Sequence, residues 1–392
     1  MDNKNILCIN SGSSSIKFAM YSLGDEERLI ARGAVERIGM SGGWLWLKDG
    51  QGDKQLDRIQ DFPNHGAAVK ALLTDVMEEC HLPSPDAVGH RVVHGGPHHI
   101  NHEIVTPHLV HDLSQIIPFA PLHLPPEILG IDAISMQYPD LGQVVCFDTA
   151  FHRTIPQIAR RLPIVSSLWH EGVVRYGFHG LSYEYIVSVL GKELNKRIIV
   201  AHLGNGASMT AIRDGISLDT TMGFTPAGGL MMGTRSGDVD PGVIIYLLEE
   251  KHYDANQLNK LFNHRSGLLG VSGISSDMRT LLEQRDEDPM AAQAVDMYAY
   301  HARKAIGALS TVLGGLDMLV FTGGIGERAA IVRELICQGM DHLGIRLDPE
   351  RNARHAPVIS REGMPVAVRV IPTNEDLMIV RHTRRLLFGE KA

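Results

Sequence analysis

Cysteine is scarce in this chain, with four in 392 residues, at Cys8, Cys80, Cys146 and Cys337. They are widely scattered and form no C-x-x-C pair, which excludes a disulfide framework and fits free thiols in a reducing compartment. Long hydrophobic runs are missing too. No window approaches the about 18 consecutive apolar residues of a membrane-spanning helix, so no membrane association is expected. Nor is there a basic excess: 37 Lys and Arg face 45 Asp and Glu, a net charge of −8. That balance argues against nucleic acid as the main partner. The start, Met-Asp-Asn-Lys-Asn-Ile-Leu, lacks a basic region followed by an apolar stretch, so no signal peptide is expected. The 20 histidines are mostly dispersed, and those from His94 to His102 show no closed metal-ligand spacing. A cytoplasmic protein is the expectation.

What is present is an ordinary globular composition, 44% hydrophobic and 21% charged, in a chain long enough for two domains. Strand-like runs recur at Ile6–Ile9, Ala87–Val93, Val144–Phe147, Ile198–Ala201, Met318–Phe321 and Val366–Ile371. Helix-like stretches lie between them, at His65–Cys80, Ser182–Leu194, Pro241–Glu249 and Pro289–Leu313. This alternation predicts an α/β architecture. The segment Gly39–Lys54 reads as a β-hairpin.

The strand Ile6–Ile9 empties into Asn10-Ser11-Gly12-Ser13-Ser14-Ser15-Ile16-Lys17. Glycine lets backbone N–H groups approach an anion, hydroxyls add donors and lysine adds a full charge. The pattern is not G-x-x-x-x-G-K-S/T opening a helix, because a second strand-like run follows. An apolar strand and glycine-rich turn return at Ile198–Ser208, through His202-Leu203-Gly204-Asn205-Gly206. Two such strand–turn–strand units, one per half, predict a duplicated fold.

Other constellations sit at strand ends, where α/β folds bind ligands. Gly89-His90-Arg91-Val92-Val93-His94 offers an arginine suited to a carboxylate or phosphate, or to a surface ion pair. Asp148, directly after Val144–Phe147, suits a metal, an arginine, a base role or a helix N-cap. His179 lies among small residues. Arg235 sits in a glycine-rich loop with little apolar surface to cover, and Asp240-Pro241 marks the next helix start. Phe321-Thr322-Gly323-Gly324-Ile325-Gly326-Glu327 fails the dinucleotide spacing yet permits close approach of a nucleotide. Pro372-Thr373-Asn374-Glu375-Asp376 brings two carboxylates together.

Taken in order, these segments resemble the acetate kinase family, which holds acetate and propionate kinases, within the acetokinase, actin and sugar-kinase superfamily. The resemblance runs from the Asn10 turn to Thr373-Asn374-Glu375. Its most specific motifs are N-x-G-S-S-S-x-K and G-x-x-M-G-T-R-S-G-D-x-D-P. It implies a duplicated βββαβαβα core of the actin-like ATPase, ribonuclease H-like kind, in two domains around a central cleft. Residues 1–148 with 377–392 would form the acid-binding domain and 149–376 the nucleotide-binding domain. It further implies Mg2+- or Mn2+-dependent phosphoryl transfer from ATP to acetate, giving acetyl phosphate and ADP, in a homodimer.

By the same resemblance Lys17, Arg91, Asp148, His179 and Arg235 are catalytic, with Ser13 at the phosphoryl site. Asn10 and Glu375 would hold the metal, and Arg91, Val93, Leu122, Phe178 and Pro226 the acid. Nucleotide contacts would fall on His202, Leu203, Gly204, Asn205 and Gly206, on Asp277, Met278 and Arg279, and on Gly323, Gly324, Ile325 and Gly326.

The chain departs from the family pattern at Leu124, at Ala227-Gly228-Gly229 and at Arg328. Propionate as acceptor is an alternative, since one methylene shifts preference by only ~1–3 kcal/mol. Pyrophosphate as donor and a sugar kinase using Asp148 as base are others. A switch ATPase of the actin type would want a further binding module, and no spare segment exists for one.

Overall fold

The apolar run Ile6–Ile9 lies inside β1 (Lys4–Ser11), an inner strand of the larger of two sheets. The computed structural model describes residues 3–389. The chain divides into a unit formed by Met1–Ala150 with Asn374–Ala392 and a unit formed by Phe151–Thr373.

In the first unit β1 pairs antiparallel with β2 (Ser15–Leu23), and β2 with β3 (Glu27–Glu36). A hairpin of β4 (Trp44–Asp49) and β5 (Lys54–Ile59) extends that side. On the other side of β1 come β6 (Ala87–Val92), β7 (Glu103–Ile104) and β8 (Gly142–Phe147). β6 runs parallel to both β1 and β8, and β7 closes the edge. The second unit holds β9 (Ile198–Leu203), β10 (Ala207–Arg213), β11 (Ile216–Thr220), β12 (Met318–Thr322) and β13 (Ala367–Val370).

The two sheets share one plan. The order β3-β2-β1-β6-β8 in the first is matched by β11-β10-β9-β12-β13 in the second. Each joins three antiparallel strands to two parallel ones. The duplication inferred from the two turns is therefore present in the strand order. Strands flanked by helices on both faces must be apolar throughout, and β9 and β12 are buried at every residue.

Leu7 and Ile9 of β1 join Ile16, Phe18, Phe62, Leu72 and Ile134 in the first core. In the second, Ile198, Val200, Met318 and Val320 pack with Tyr183 and Ile186. The helix Glu375–Phe388, capped by Asn374, packs on β1, β6 and β8. Gly89 makes that approach close: a Cβ there would stand 2.4 Å from Ile379 Cγ2 and from Thr383 Oγ1.

The helices Pro241–Glu249 and Pro289–Leu313 have the bounds expected, each with an aspartate cap followed by proline. Elsewhere the structure differs in detail. His65–Cys80 is broken into a helix His65–Lys70, a π-helical turn Ala71–Val76 and a short helix Met77–Glu79, which leaves Ala71, Leu72 and Val76 all buried. The hairpin lies later than Gly39–Lys54, because the Asp49 carboxylate accepts from Gln51 and Asp53 N–H and so sets the turn at Gly50–Asp53. Asn374–Asp376 fall in the first unit rather than with residues 149–376. Asn374 accepts from the Tyr21 hydroxyl and Asp376 from the Cys8 thiol, which ties them to β1 and β2. Among the described residues, no helix is long and apolar enough to cross a membrane.

Two buried imidazoles make the fold acid-sensitive. His90 bonds Gln143 and His152 bonds Ser217 and the Phe178 carbonyl. Burial pushes both down from 6.5 to about 4. The unfolded chain takes up these protons below pH 6.5, while the folded chain resists them until about 4, so stability falls as pH drops through that window. Unfolding free energies from urea titrations at ~pH 7 and ~pH 5 are expected to differ by about 1–2 kcal/mol per histidine, and His90→Gln should remove one share of that loss.

Candidate active site

Parallel pairing dictates the first cluster. Arg91 is opposite Cys146 and Val92 opposite Phe147, so the residue after β8, Asp148, must lie beside the end of β6. Its N–H donates to the Val92 carbonyl at 3.0 Å. Arg91 then donates to both oxygens of Asp148, from Nε at 3.2 Å and from Nη2 at 2.5 Å. The Glu375 carboxylate stands 3.7 Å from Arg91 Nε. Asp148 is 1% exposed, and a buried ion pair of this kind persists only with such geometry. Burial alone would lower the guanidinium's pKa; Asp148 and Glu375 outweigh it and raise the value. Of the roles open for Asp148, the structure shows it holding an arginine.

Val93, also buried, donates its N–H to Glu127 Oε2 at 3.1 Å. Leu122 is half-buried in the segment before the helix Leu124–Gln137 that carries Glu127. Asn10 ends β1, and Ser13 and Lys17 are exposed in and after its turn. That turn is held by the Gly12 N–H donating to the Ser15 carbonyl at 2.7 Å and by His65 Nε2 on the Gly12 carbonyl at 2.8 Å.

The first unit also carries a donor set for a cation. Asn10 lies two residues beyond Cys8, hence on the same face of β1, and the Cys8 thiol reaches Asp376, the neighbour of Glu375. Burial raises the Glu375 carboxyl, a rise opposed by Arg91 and reinforced by Asp376. A half-buried Glu375 carboxylate and the Asn10 side chain offer oxygen ligands of the kind a hard divalent ion takes.

The second unit gathers the other charged residues. His179 (φ 59°) starts the helix Gly180–Leu190 from the left-handed region. Its Nδ1 meets Ser208 Oγ at 2.8 Å, and its ring stacks on His202 with centroids 4.2 Å apart. His202 Nδ1 in turn meets Ser182 Oγ at 2.8 Å. With Nδ1 so engaged, His179 turns Nε2 towards Gly206: a Cβ at Gly206 would stand 3.3 Å from it and 3.6 Å from Arg235 Nη1. Arg235 Nη1 donates to the Pro226 carbonyl at 3.1 Å. Phe178 is buried and Pro226 half-buried. The second glycine turn thus brings His179, Arg235 and Pro226 to one place.

A cavity of about 900 Å³ opens beside that turn. Of the residues expected at a nucleotide, Gly204, Asn205, Asp277, Met278, Arg279, Gly324 and Ile325 line it. His202, Leu203, Gly206, Gly323 and Gly326 are not in its wall. Gly323 (φ 75°) instead packs against the Leu203 backbone, which a Cβ would meet at 2.8 Å.

Sequence reasoning missed the rest of that wall, Ser276, Leu282, Glu283, Ala329 and Ile331; Arg328, the departure from the family pattern in the adenosine loop, also lines it. The signal was available, since Met278 with Leu282 and Arg279 with Glu283 are i, i+4 pairs on the helix Met278–Gln284 and so share its faces. It also missed two braces behind the glycine turn. Glu327 Oε1 accepts from Gly323 N–H at 3.0 Å and from Thr373 N–H at 3.1 Å. Arg333, fully buried, donates to the carbonyls of Gly326 and Glu327 and to Asn352.

The Acetokinase family model matches residues 5–381. The acetate kinase of Heliobacterium modesticaldum is 44% identical, covering 98% of this chain and 100% of that one. The crystal structure of the Porphyromonas gingivalis acetate kinase superposes with a TM-score of 0.90 at 40% identity, over 98% of this chain and 100% of that one. A propionate kinase from Francisella tularensis superposes with a TM-score of 0.93 at 35% identity, over the same shares.

Glu327 is expected to matter for nucleotide binding. Glu327→Ala strips an acceptor from two backbone N–H groups, at a cost of ~1–3 kcal/mol. In calorimetric titration with ADP it should weaken binding roughly tenfold, while Glu327→Gln keeps an acceptor and most of the affinity.

Proposed function

The chain belongs to the acetokinase family, phosphotransferases whose acceptor is a carboxyl group, and on that premise we propose that it is a Mg2+- and ATP-dependent acetate kinase, interconverting acetate and ATP with acetyl phosphate and ADP. The observation that carries this reading is the set of cations built into phosphate-type turns and strand ends. Arg91 is fixed on Asp148, and Arg235 and His179 converge on Gly206. We assign the acid side to the first unit, with Val93 and Leu122, and the nucleotide side to the second, with the cavity lined by Gly204, Asn205, Met278 and Ile325.

The chemistry needs little proton management. A carboxylate is ionised at pH 7, and one of its oxygens attacks the γ-phosphorus in line while the bond to the ADP oxygen breaks. What must be overcome is repulsion between anions, so positioned positive charge is the main device. Arg91 orients the acid. Arg235 and Lys17 neutralise phosphoryl oxygens, and His179, its ring held at Nδ1 by Ser208, presents Nε2 towards them. Asn10 and Glu375 would hold a divalent ion, which would supply further charge neutralisation.

Propionate is the second reading, favoured by the likeness to the Francisella tularensis propionate kinase and by the small residues Ala227-Gly228-Gly229 following Pro226. Hydroxylamine trapping with acetate, propionate and butyrate, run with ATP and with pyrophosphate, tests all of these. Hydroxamate with acetate and ATP is the expected result, and none from any pairing sinks the kinase reading. Arg91→Ala and Arg235→Ala should each lower turnover ~10³-fold or more with unchanged circular dichroism; near-normal turnover in both would reject the assignment.

We also infer a homodimer. The helix Pro241–Glu249 exposes Val243, Ile244, Ile245, Tyr246 and Leu248 together, an apolar surface of the kind that marks association. Gel filtration should give about twice the mass of one chain for the wild type, and Ile245→Asp should shift it towards the single-chain mass.

A further inference from the structure

One buried carboxyl has no part in the mechanism above. Glu127 sits in the first turn of the helix Leu124–Gln137 and is 5% exposed. Its Oε2 accepts from the N–H of Val93, the residue two beyond Arg91. We propose that Glu127 is a positioning residue of the acceptor site, which fixes the strand end bearing Arg91 and Val93 and does so as a neutral carboxyl, so that the incoming acid meets no extra buried anion. The inference rests on the carboxylate-kinase reading and names what controls acid binding within it.

The reasoning is electrostatic. A single guanidinium, Arg91, faces Asp148 and Glu375 at 2.5 Å and 3.7 Å. The Asp148 carboxylate already matches its charge before an acid substrate arrives. An ionised Glu127 would add a further negative charge close to where the acid must bind, with little water to screen it. A protonated Glu127 adds none, and its carbonyl oxygen still accepts the Val93 N–H. Burial drives the carboxyl in that direction, up to about 8, against the opposing pull of the Val93 N–H and Arg91 and with reinforcement from Asp148.

Among the described residues, the elements packed on the Glu127 helix carry His65, Lys70, His90, Arg91, His108, His111 and Asp112. Its helix packs on β1, β6 and the helices His65–Lys70 and Pro107–Gln115. β1 turns Leu7 and Ile9 to this side. β6 brings His90, held neutral by burial and bonded to Gln143. His65 is engaged with the Gly12 carbonyl and Asp112 with His99. Arg91 and Asp148 are what remain to act on Glu127 electrostatically.

The test is the pH profile of KM for the acid, with KM for ATP followed alongside, in wild type, Glu127→Gln and Glu127→Ala. In the wild type KM for the acid should climb about tenfold from ~pH 7 to ~pH 9, as the carboxyl ionises, while KM for ATP stays level. Glu127→Gln keeps an acceptor without a charge, so its KM for the acid should stay flat over that range and within about threefold of the wild-type value at ~pH 7. Glu127→Ala, if folded by thermal unfolding, should raise KM for the acid about tenfold at every pH by leaving the buried Val93 N–H without this acceptor. An alkaline climb as steep in Glu127→Gln as in the wild type overturns the proposal, as does a wild-type profile that is flat. A different failure, no hydroxamate from any acid in the wild type, rejects the kinase reading itself and is seen before the variants are compared.

Discussion

The bidentate contact from Arg91 to Asp148 is the interaction on which the acceptor side of the first unit depends. It is possible only because β6 and β8 run parallel in a register that ends them together, and the Asp148 N–H continues that register onto Val92. The pair locks a long, flexible side chain whose freedom would otherwise have to be lost on binding. Burial raises the carboxyls of Glu375 and Glu127 and Arg91 opposes both rises, while the strand end that carries Val93 is held by Glu127. Removing either partner of a buried pair leaves the other stranded, so the fold and the site are stabilised by the same contact.

The second unit holds its imidazoles differently. His179 and His202 stack, each with Nδ1 on a serine hydroxyl, and these contacts orient both rings. Gly206 then admits the ring and Arg235 close to the backbone of the turn. Repetition of the strand order in the two sheets explains why a glycine-rich turn recurs at the same topological place, between the first two strands of each. The side chains set around the two turns have diverged, acidic and metal-ligand types in one unit and imidazoles in the other.

Much of this was legible because turns and strand ends are written locally. Glycine, hydroxyl residues and lysine after an apolar run marked the Asn10 turn, and the same punctuation marked Gly204–Gly206 and Gly323–Gly326. Strand-end positions alone singled out Arg91 and Asp148. What escaped depends on partners distant in sequence. A glutamate in the first turn of a helix, such as Glu127, suits the helix dipole and reads as a surface residue; only packing buries it. Glu327 stood inside a recognised motif, yet its two bonds join β12's turn to the segment after β13. The cavity wall beyond Arg279 needed three helices brought together. Asn374–Asp376 were assigned to the wrong side of the boundary because their ties to Tyr21 and Cys8 span the length of the chain.

The helix Glu375–Phe388 has a consequence for how the chain is made. It covers one face of β1, β6 and β8, meeting β6 at Gly89 with no room for even a methyl group. Yet it leaves the ribosome only after the whole of Phe151–Thr373. The first unit, begun earliest, therefore carries an unsealed sheet throughout translation, while the second has every element it needs before the helix emerges. The sheet of the first unit is thus sealed late in synthesis, by a helix whose first residue, Glu375, also completes the Arg91 cluster.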